Sequence, residues 1–314
     1  MALTLEDLPF SLKANDIVKH VINIDSRFRL PVMKGDSNDS TFYFNLLAPI
    51  RNVLRIRVTS IEFANNYYIF SAYRQNVTIL MKGTGGAIRT ITIPDGNYLV
   101  NDMLDTLNAV IASVPSLAGI TVSFDVVTGH FTFKGSSQFQ ICTVTPPGLS
   151  MDREYDYGLG YNLGFSRGIF TATGSGTSWE LTSNQPAYFA GDPYVFLKVN
   201  DYACVRQTVG GNDFTALAKI VMTQAKDFMN YDDYAGQHAK EVVFPSPVDL
   251  SRFRVQLLDP YGMPLQMKST QISFSLEVLE VKNLTLYNTI RDSFAADWVV
   301  RESDGKKMSV DRRR

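Results

Sequence analysis

Cysteine is nearly absent. The 314 residues hold two, Cys142 and Cys204, which cannot build a disulfide framework and sit in no paired metal-ligand spacing. Both are expected as small buried hydrophobes in a reducing compartment. An excess of one charge is also missing: 30 Lys and Arg stand against 31 Asp and Glu, a formal charge of -1. Binding nucleic acid by counterion release needs a concentrated positive surface, so no specific nucleic acid is expected as a partner. No apolar run approaches the roughly 20 residues required to cross a bilayer, so no membrane span is expected. The stretch from Met1 to Phe10 carries Glu6 and Asp7 and lacks a basic start with an apolar run. A signal peptide is therefore not expected, and synthesis in cytoplasm is. The sequons at Asn38, Asn76 and Asn283 then read as chance.

What is present is aromatic and alternating. Phe and Tyr number 20 and 15, while charged residues reach only 19%. Such a chain buries faces against partners as well as within itself. Alternation with period two runs through Thr41 to Leu46, with Phe42, Phe44 and Leu46 on one face. It continues in Leu54-Arg55-Ile56-Arg57-Val58, where the arginines point outward. The apolar parity then flips to Ile61 and Phe63, and a bulge near Thr59 and Ser60 would restore the buried face. Further strands are expected at Tyr194 to Val199, Phe253 to Leu257 and Ile272 to Val278, the last with Ser273, Ser275 and Glu277 toward solvent.

Helical spacing holds clearly in one place. Val100, Met103, Leu104, Leu107, Ile111 and Val114 recur as a helical face, opened by Pro94-Asp95-Gly96-Asn97 and closed before Pro115. Strands at about 76–81 and 88–93 precede it. Others at 119–126 and 130–134, joined at Thr128-Gly129, follow it. This gives a ββαββ unit, expected as an inserted α+β subdomain over about 74–145. Within 214–229 a second short helix is one reading, and Phe214 to Met222 reads equally well as a strand. The segments 145–168 and 173–193, rich in Gly, Ser, Asn and Tyr, read as long outward loops. From Arg291 the alternation is lost, and a basic tail ends in Arg312-Arg313-Arg314.

Chemistry is sparsely signalled. His20, His130 and His238 lie more than a hundred residues apart, with no Cys, Asp or Glu in ligand spacing. Gly158-Leu-Gly160-Tyr-Asn-Leu-Gly164 has the wrong spacing for a dinucleotide loop and reads as a glycine-rich surface loop. Gly83-Thr-Gly-Gly86 reads as hairpin chemistry. Asp36-Ser-Asn38-Asp-Ser40 lacks the glycine and closing glutamate of a calcium loop. Asp152, Glu154 and Asp156, or Asp227 with Asp232 and Asp233, are paired carboxylates of the kind glycoside hydrolysis uses, but solvated loop charge is the expectation. No catalytic residue, cofactor or metal is expected.

A set of segments then occurs in order: Val21-Ile-Asn-Ile-Asp25-Ser26-Arg27-Phe28-Arg29, Phe42 to Leu46, Pro49-Ile-Arg51-Asn-Val53-Leu-Arg55-Ile, and Ile61-Glu62-Phe63. Ile91-Thr-Ile-Pro94-Asp-Gly96-Asn97-Tyr98, Asp192-Pro-Tyr194-Val-Phe196 through Asn200-Asp201-Tyr202, Leu257-Leu-Asp259-Pro260-Tyr261-Gly262 and Phe274-Ser-Leu276-Glu277 follow. The order resembles minor capsid and penton-type proteins of the nucleocytoplasmic large DNA viruses over roughly 17–290. Residues 1–16, an N-terminal arm, and the tail 291–314 match nothing in that pattern. The resemblance implies a mainly β fold, a jelly-roll-like antiparallel β-sandwich. It implies a structural component of an icosahedral virion capsid, assembled in host cytoplasm. Its partners would be the major capsid protein and other capsid proteins, with a homopentamer if it sits at a vertex. It supplies no catalytic residues. The alternative is a glycan- or receptor-attachment protein on the virion.

Candidate partner contacts follow from the same segments. Asp25, Arg27 and Arg29 form a charged knot, read as a local salt bridge or an intersubunit contact. Arg55 and Arg57 on a solvent face would pair with acidic neighbours or simply face water. Tyr155, Tyr157 and Tyr161 supply rigid amphipathic area for an interface, or tuck onto their own domain.

Overall fold

The computed structural model describes residues 16–29, 41–83, 86–144, 157–224, 228–232, 240–266, 271–289 and 291. The chain opens with β1 (Ile17–Asp25), a 3-10 turn (Ser26–Phe28) and the long β2 (Thr41–Ala64). Next come β3 (Thr78–Lys82), β4 (Ile88–Thr92), α1 (Val100–Ala112), β5 (Thr121–Asp125) and β6 (His130–Gly135). They are followed by β7 (Gln140–Cys142), α2 (Leu159–Asn162), β8 (Ile169–Thr171), β9 (Thr173–Ser175) and β10 (Ser178–Thr182). β11 (Tyr194–Val199), β12 (Val205–Val209), β13 (Asn212–Ala216), β14 (Ala218–Val221) and β15 (Met229–Asp232) lead to β16 (Glu241–Leu258) and β17 (Ile272–Val281).

Two compact units result. The first comprises 1–65, 194–207 and 214–314; the second comprises 66–193 and 208–213.

The first unit is built on one antiparallel sheet in the order β1-β17-β2-β16-β11-β14, with β15 also pairing β2. Its spine is β2, 24 residues long. Three register shifts along the β2–β16 pairing bend it, as bulges do. The bulge anticipated at the parity flip is present: Ser275 faces Ser60 but Leu276 faces Val58, leaving Thr59 as the extra residue. Val58 and Ile61 are thereby both buried, at 0% and 1% exposure. The core face continues through Ile24, Ile56, Phe63, Phe274, Leu276 and Val278, all buried.

The second unit carries the expected ββαββ order. Its two four-stranded sheets run β5-β6-β10-β9 and β4-β3-β7-β8. Both contribute to one core with α1, whose Met103, Leu107 and Ile111 meet Phe131, Phe133, Phe139 and Ile141. Asp102 accepts the Leu99 N–H at the start of α1. Asn108 ties the helix to β5 by donating to the Val122 carbonyl and accepting the Val122 N–H.

Three expectations change here. The segment 173–193 is not one long loop, because β9 and β10 form a hairpin that pairs onto β6; with β7 and β8, this extends the unit past residue 145. Gly158 to Gly164 is not a surface loop, since it forms α2 and buries Leu159 and Leu163 fully. In the ambiguous stretch 214–229, the described residues hold no helix and form strand in β13, β14 and the start of β15.

The chain is mainly β, with curled antiparallel sheets consistent with a β-sandwich and an α+β unit inserted in the chain between β2 and β11.

Candidate interaction site

Pairing across β1, β17, β2 and β16 puts one polar set on the face opposite the core. Val21 lies opposite Glu277, Glu277 opposite Arg57, and Arg57 opposite Glu241. One step along, Lys19 and Arg55 flank Leu279. These positions produce a ladder of charges: Lys19 Nζ is 3.0 Å from Glu277 Oε2, Arg55 Nη2 is 3.0 Å from Glu277 Oε1, and Arg55 Nη1 is 3.6 Å from Glu241 Oε2. The Arg55 side chain is 8% exposed and that of Glu277 12%.

The outward, solvent-facing reading of Arg55 is therefore corrected. Its stem crosses a sheet whose neighbours cover it, and two carboxylates from strands distant in sequence compensate the buried charge. Glu277 and the serines beside it are half-buried for the same reason. Arg57 is half-buried, and its Nε has no hydrogen-bond partner among the described residues.

On the core side of the same edge, His20 Nε2 meets Glu280 Oε2, and Lys282 Nζ is 3.0 Å from Glu280 Oε1. Burial pushes the Glu280 carboxyl up, but the His20 and Lys282 hydrogen bonds outweigh it and hold the group below its ordinary value.

At the far end of β1, Asp25 is 3% exposed. Arg27 grips it through Nε at 2.9 Å and Nη2 at 2.6 Å, and the Arg27 backbone N–H reaches its other oxygen at 2.8 Å. The Arg27 side-chain bonds hold the Asp25 carboxyl below its usual range against the opposing effect of burial. Asp25 thus caps the 3-10 turn, and Ser26 Oγ accepts the Ile272 N–H. Arg29 stands outside the knot: its N–H reaches the Ser26 carbonyl at 3.4 Å. Beside this turn opens a cleft of about 400 Å³, lined by Asn23, Asp25, Arg27, Glu62, Met229 and Ser273 among others.

Of the three tyrosines, two fall among the described residues. Tyr157 is half-buried and donates to the Arg74 carbonyl at 2.7 Å, tucking onto its own unit. Tyr161 is half-buried on α2, and Tyr155 lies outside the described residues. His130 Nδ1 donates to the Ser183 carbonyl at 2.8 Å, a structural role. His238, the Asp36 to Ser40 run, Asp152, Glu154, Asp156, Asp227 and Asp233, the side chain of Asp232, and the terminal segments 1–15 and 292–314 also lie outside the described residues. Of the sequons, Asn76 is 4% exposed and bonds Ile69 and Ser71 internally.

Lys19, His20, Glu241, Glu277 and Glu280 escaped sequence reasoning as a group. Alternation marked their faces, but nothing local marked their partners.

The fold and site thus define a mainly β protein whose charged groups are tied across strands. No family model matches the chain, and no curated protein matches it. Among solved structures it is similar to the selenomethionine-labelled mavirus penton protein at TM-score 0.39 and 9% identity, over 85% of this chain and 99% of that one. Among the described residues, no helix is long and apolar enough to cross a membrane.

Proposed function

We infer that the chain is a structural component of an icosahedral virus capsid, at a vertex or a minor shell position, acting by protein–protein packing and not by bond chemistry. The observation that supports it best is the Lys19–Glu277–Arg55–Glu241 ladder. Lys19, Glu277, Arg55 and Glu241 pair with one another across strands and stiffen a sheet. What the surface offers is shape: a β1 edge with no strand paired to its outer side among the described residues, and exposed Leu47, Val126 and Val127. The ordered segments over 17–290 add the family resemblance. Partners would be other capsid chains, and a vertex position would call for a ring of five with heterologous side faces.

Mass spectrometry of purified, intact particles tests the reading. The chain is expected there at a fixed ratio to the major shell protein. Its absence from particles, with abundance in infected cytoplasm, overturns the proposal.

A further inference from the structure

The seven-stranded sheet has two ends that differ sharply. At one, β14 is four residues long, and its Lys219 lies 3.8 Å from the Tyr194 ring on the neighbouring strand. A short strand is a device that blunts an edge; lysine, another such device, stands at both ends, as Lys219 on β14 and Lys19 on β1. At the other, β1 is nine residues long, contains no proline, and runs against β17 in unbroken register from Ile17 to Asp25. Among the described residues no strand pairs with its outer edge.

We propose that this edge is an interface with a second copy of the chain, in which β1 pairs antiparallel with β1 of the partner about a two-fold axis at Val21. Val21 is the midpoint of the strand and 67% exposed. Core faces of the two sheets align only if the register keeps side-chain parity, because a one-residue slip turns every side chain over. Of the allowed registers, the one centred on Val21 uses the whole strand. It sets Val21 against its mate, Lys19 against Asn23 and Ile17 against Asp25. On the core side it sets Val18 against Ile24 and His20 against Ile22. Centring on His20 would instead oppose two histidines, and centring on Ile22 would leave Ile17 and Val18 unpaired. The Val21 register places no like charges directly opposite, and it covers Val18 and Ile22, which the edge leaves half-buried. Such a contact is isologous and closes on itself, unlike the sides of a five-membered ring. It deepens the shell reading, on which its biological purpose rests, by naming a two-fold contact.

The test is sedimentation velocity on the purified full chain over a range of concentrations, with Val21→Lys beside wild type. Wild type is expected as a concentration-dependent dimer. Val21→Lys sets two lysines face to face and is expected to raise the dissociation constant about tenfold or more, with an unchanged circular-dichroism spectrum because the site is open. Val21→Cys in a Cys204→Ser background is expected to give a disulfide-linked dimer under mild oxidation. A wild-type monomer at all concentrations overturns the proposal, as does any oligomer whose mass Val21→Lys leaves unchanged. Particle mass spectrometry reads the shell role separately: a chain found in particles but unaffected by Val21→Lys loses this contact and keeps its role.

Discussion

Replacing Arg55 by methionine keeps the stem that crosses the sheet and removes the guanidinium. Glu277 is then left with Lys19 alone, whose side chain is 54% exposed, and Glu241 loses the partner at 3.6 Å. Breaking a fully buried pair by removing one member costs about 3–5 kcal/mol. Here Glu277 keeps one cation, and Glu241 at 22% side-chain exposure still reaches water, so roughly 2 kcal/mol is expected for Arg55→Met. Glu277→Gln leaves Arg55 with Glu241 and should cost about 1–2 kcal/mol. The double variant should cost less than the sum, with a coupling of about 1–2 kcal/mol. Because the chain has two compact units, a single global transition is the wrong readout. Hydrogen exchange resolved to peptides of β2 and β17, supported by urea unfolding, measures the local loss. If Arg55→Met stays within about 0.5 kcal/mol of wild type and the cycle is additive, the groups behave as independent solvated charges, and the buried-ladder argument fails.

Two further perturbations test other parts of the fold. Asp25 and Glu280 both have carboxyls held below their ordinary values of 3.8 and 4.5. Each therefore contributes stability that is present above the unfolded value and lost as pH falls through the folded one. Acid titration of β1 exchange protection should show loss beginning below about pH 4.5, and Asp25→Asn with Glu280→Gln should flatten it; an unchanged acid limb contradicts the assignment. In the second unit, Gly83→Ala drives a methyl into the Ser116 carbonyl oxygen. A cost of about 1–3 kcal/mol is expected, read by Trp179 fluorescence during denaturation, and a neutral result would mean the Gly83–Ser116 approach is looser than described.

Local signals made some features legible in the sequence. The ββαββ unit rests on neighbours: Val100 to Val114 repeats every turn, and the Thr128-Gly129 hairpin needs only the residues around it. The Thr59 bulge was visible because the parity of Val58 and Ile61 conflicts without it. By contrast, the ion partner of Arg55 lies 222 residues away in Glu277. No spacing rule connects them, so a half-buried polar face read as a wet one. β9 was missed for another reason: Thr173-Gly174-Ser175 has no apolar residue to alternate, and it is held by pairing with β10. Gly158 to Gly164 misled through its glycines. Leu159, Leu163 and Phe165, all fully buried, carried the better signal.

The charged ladder has a task that the apolar core cannot perform. On the core face of the β1–β17 pair, Ile22 lies opposite Leu276 and Ile24 opposite Phe274, with Val278 two residues further along β17. These side chains are similar enough that a slip of two residues would keep the same faces inward at modest packing cost. The polar contacts are not interchangeable. Such a slip would carry Lys19 away from Glu277 and His20 away from Glu280, and would pull Ser26 Oγ off the Ile272 N–H, which it holds at 3.0 Å. The energy of each exposed pair is small, but together they select one register among near-equals, the best-attested use of polar groups against an apolar background. Because β1 ends the sheet among the described residues, its register also decides which residue stands at the middle of that strand. The ladder that fixes the sheet therefore sets where Val21 is presented to a second copy.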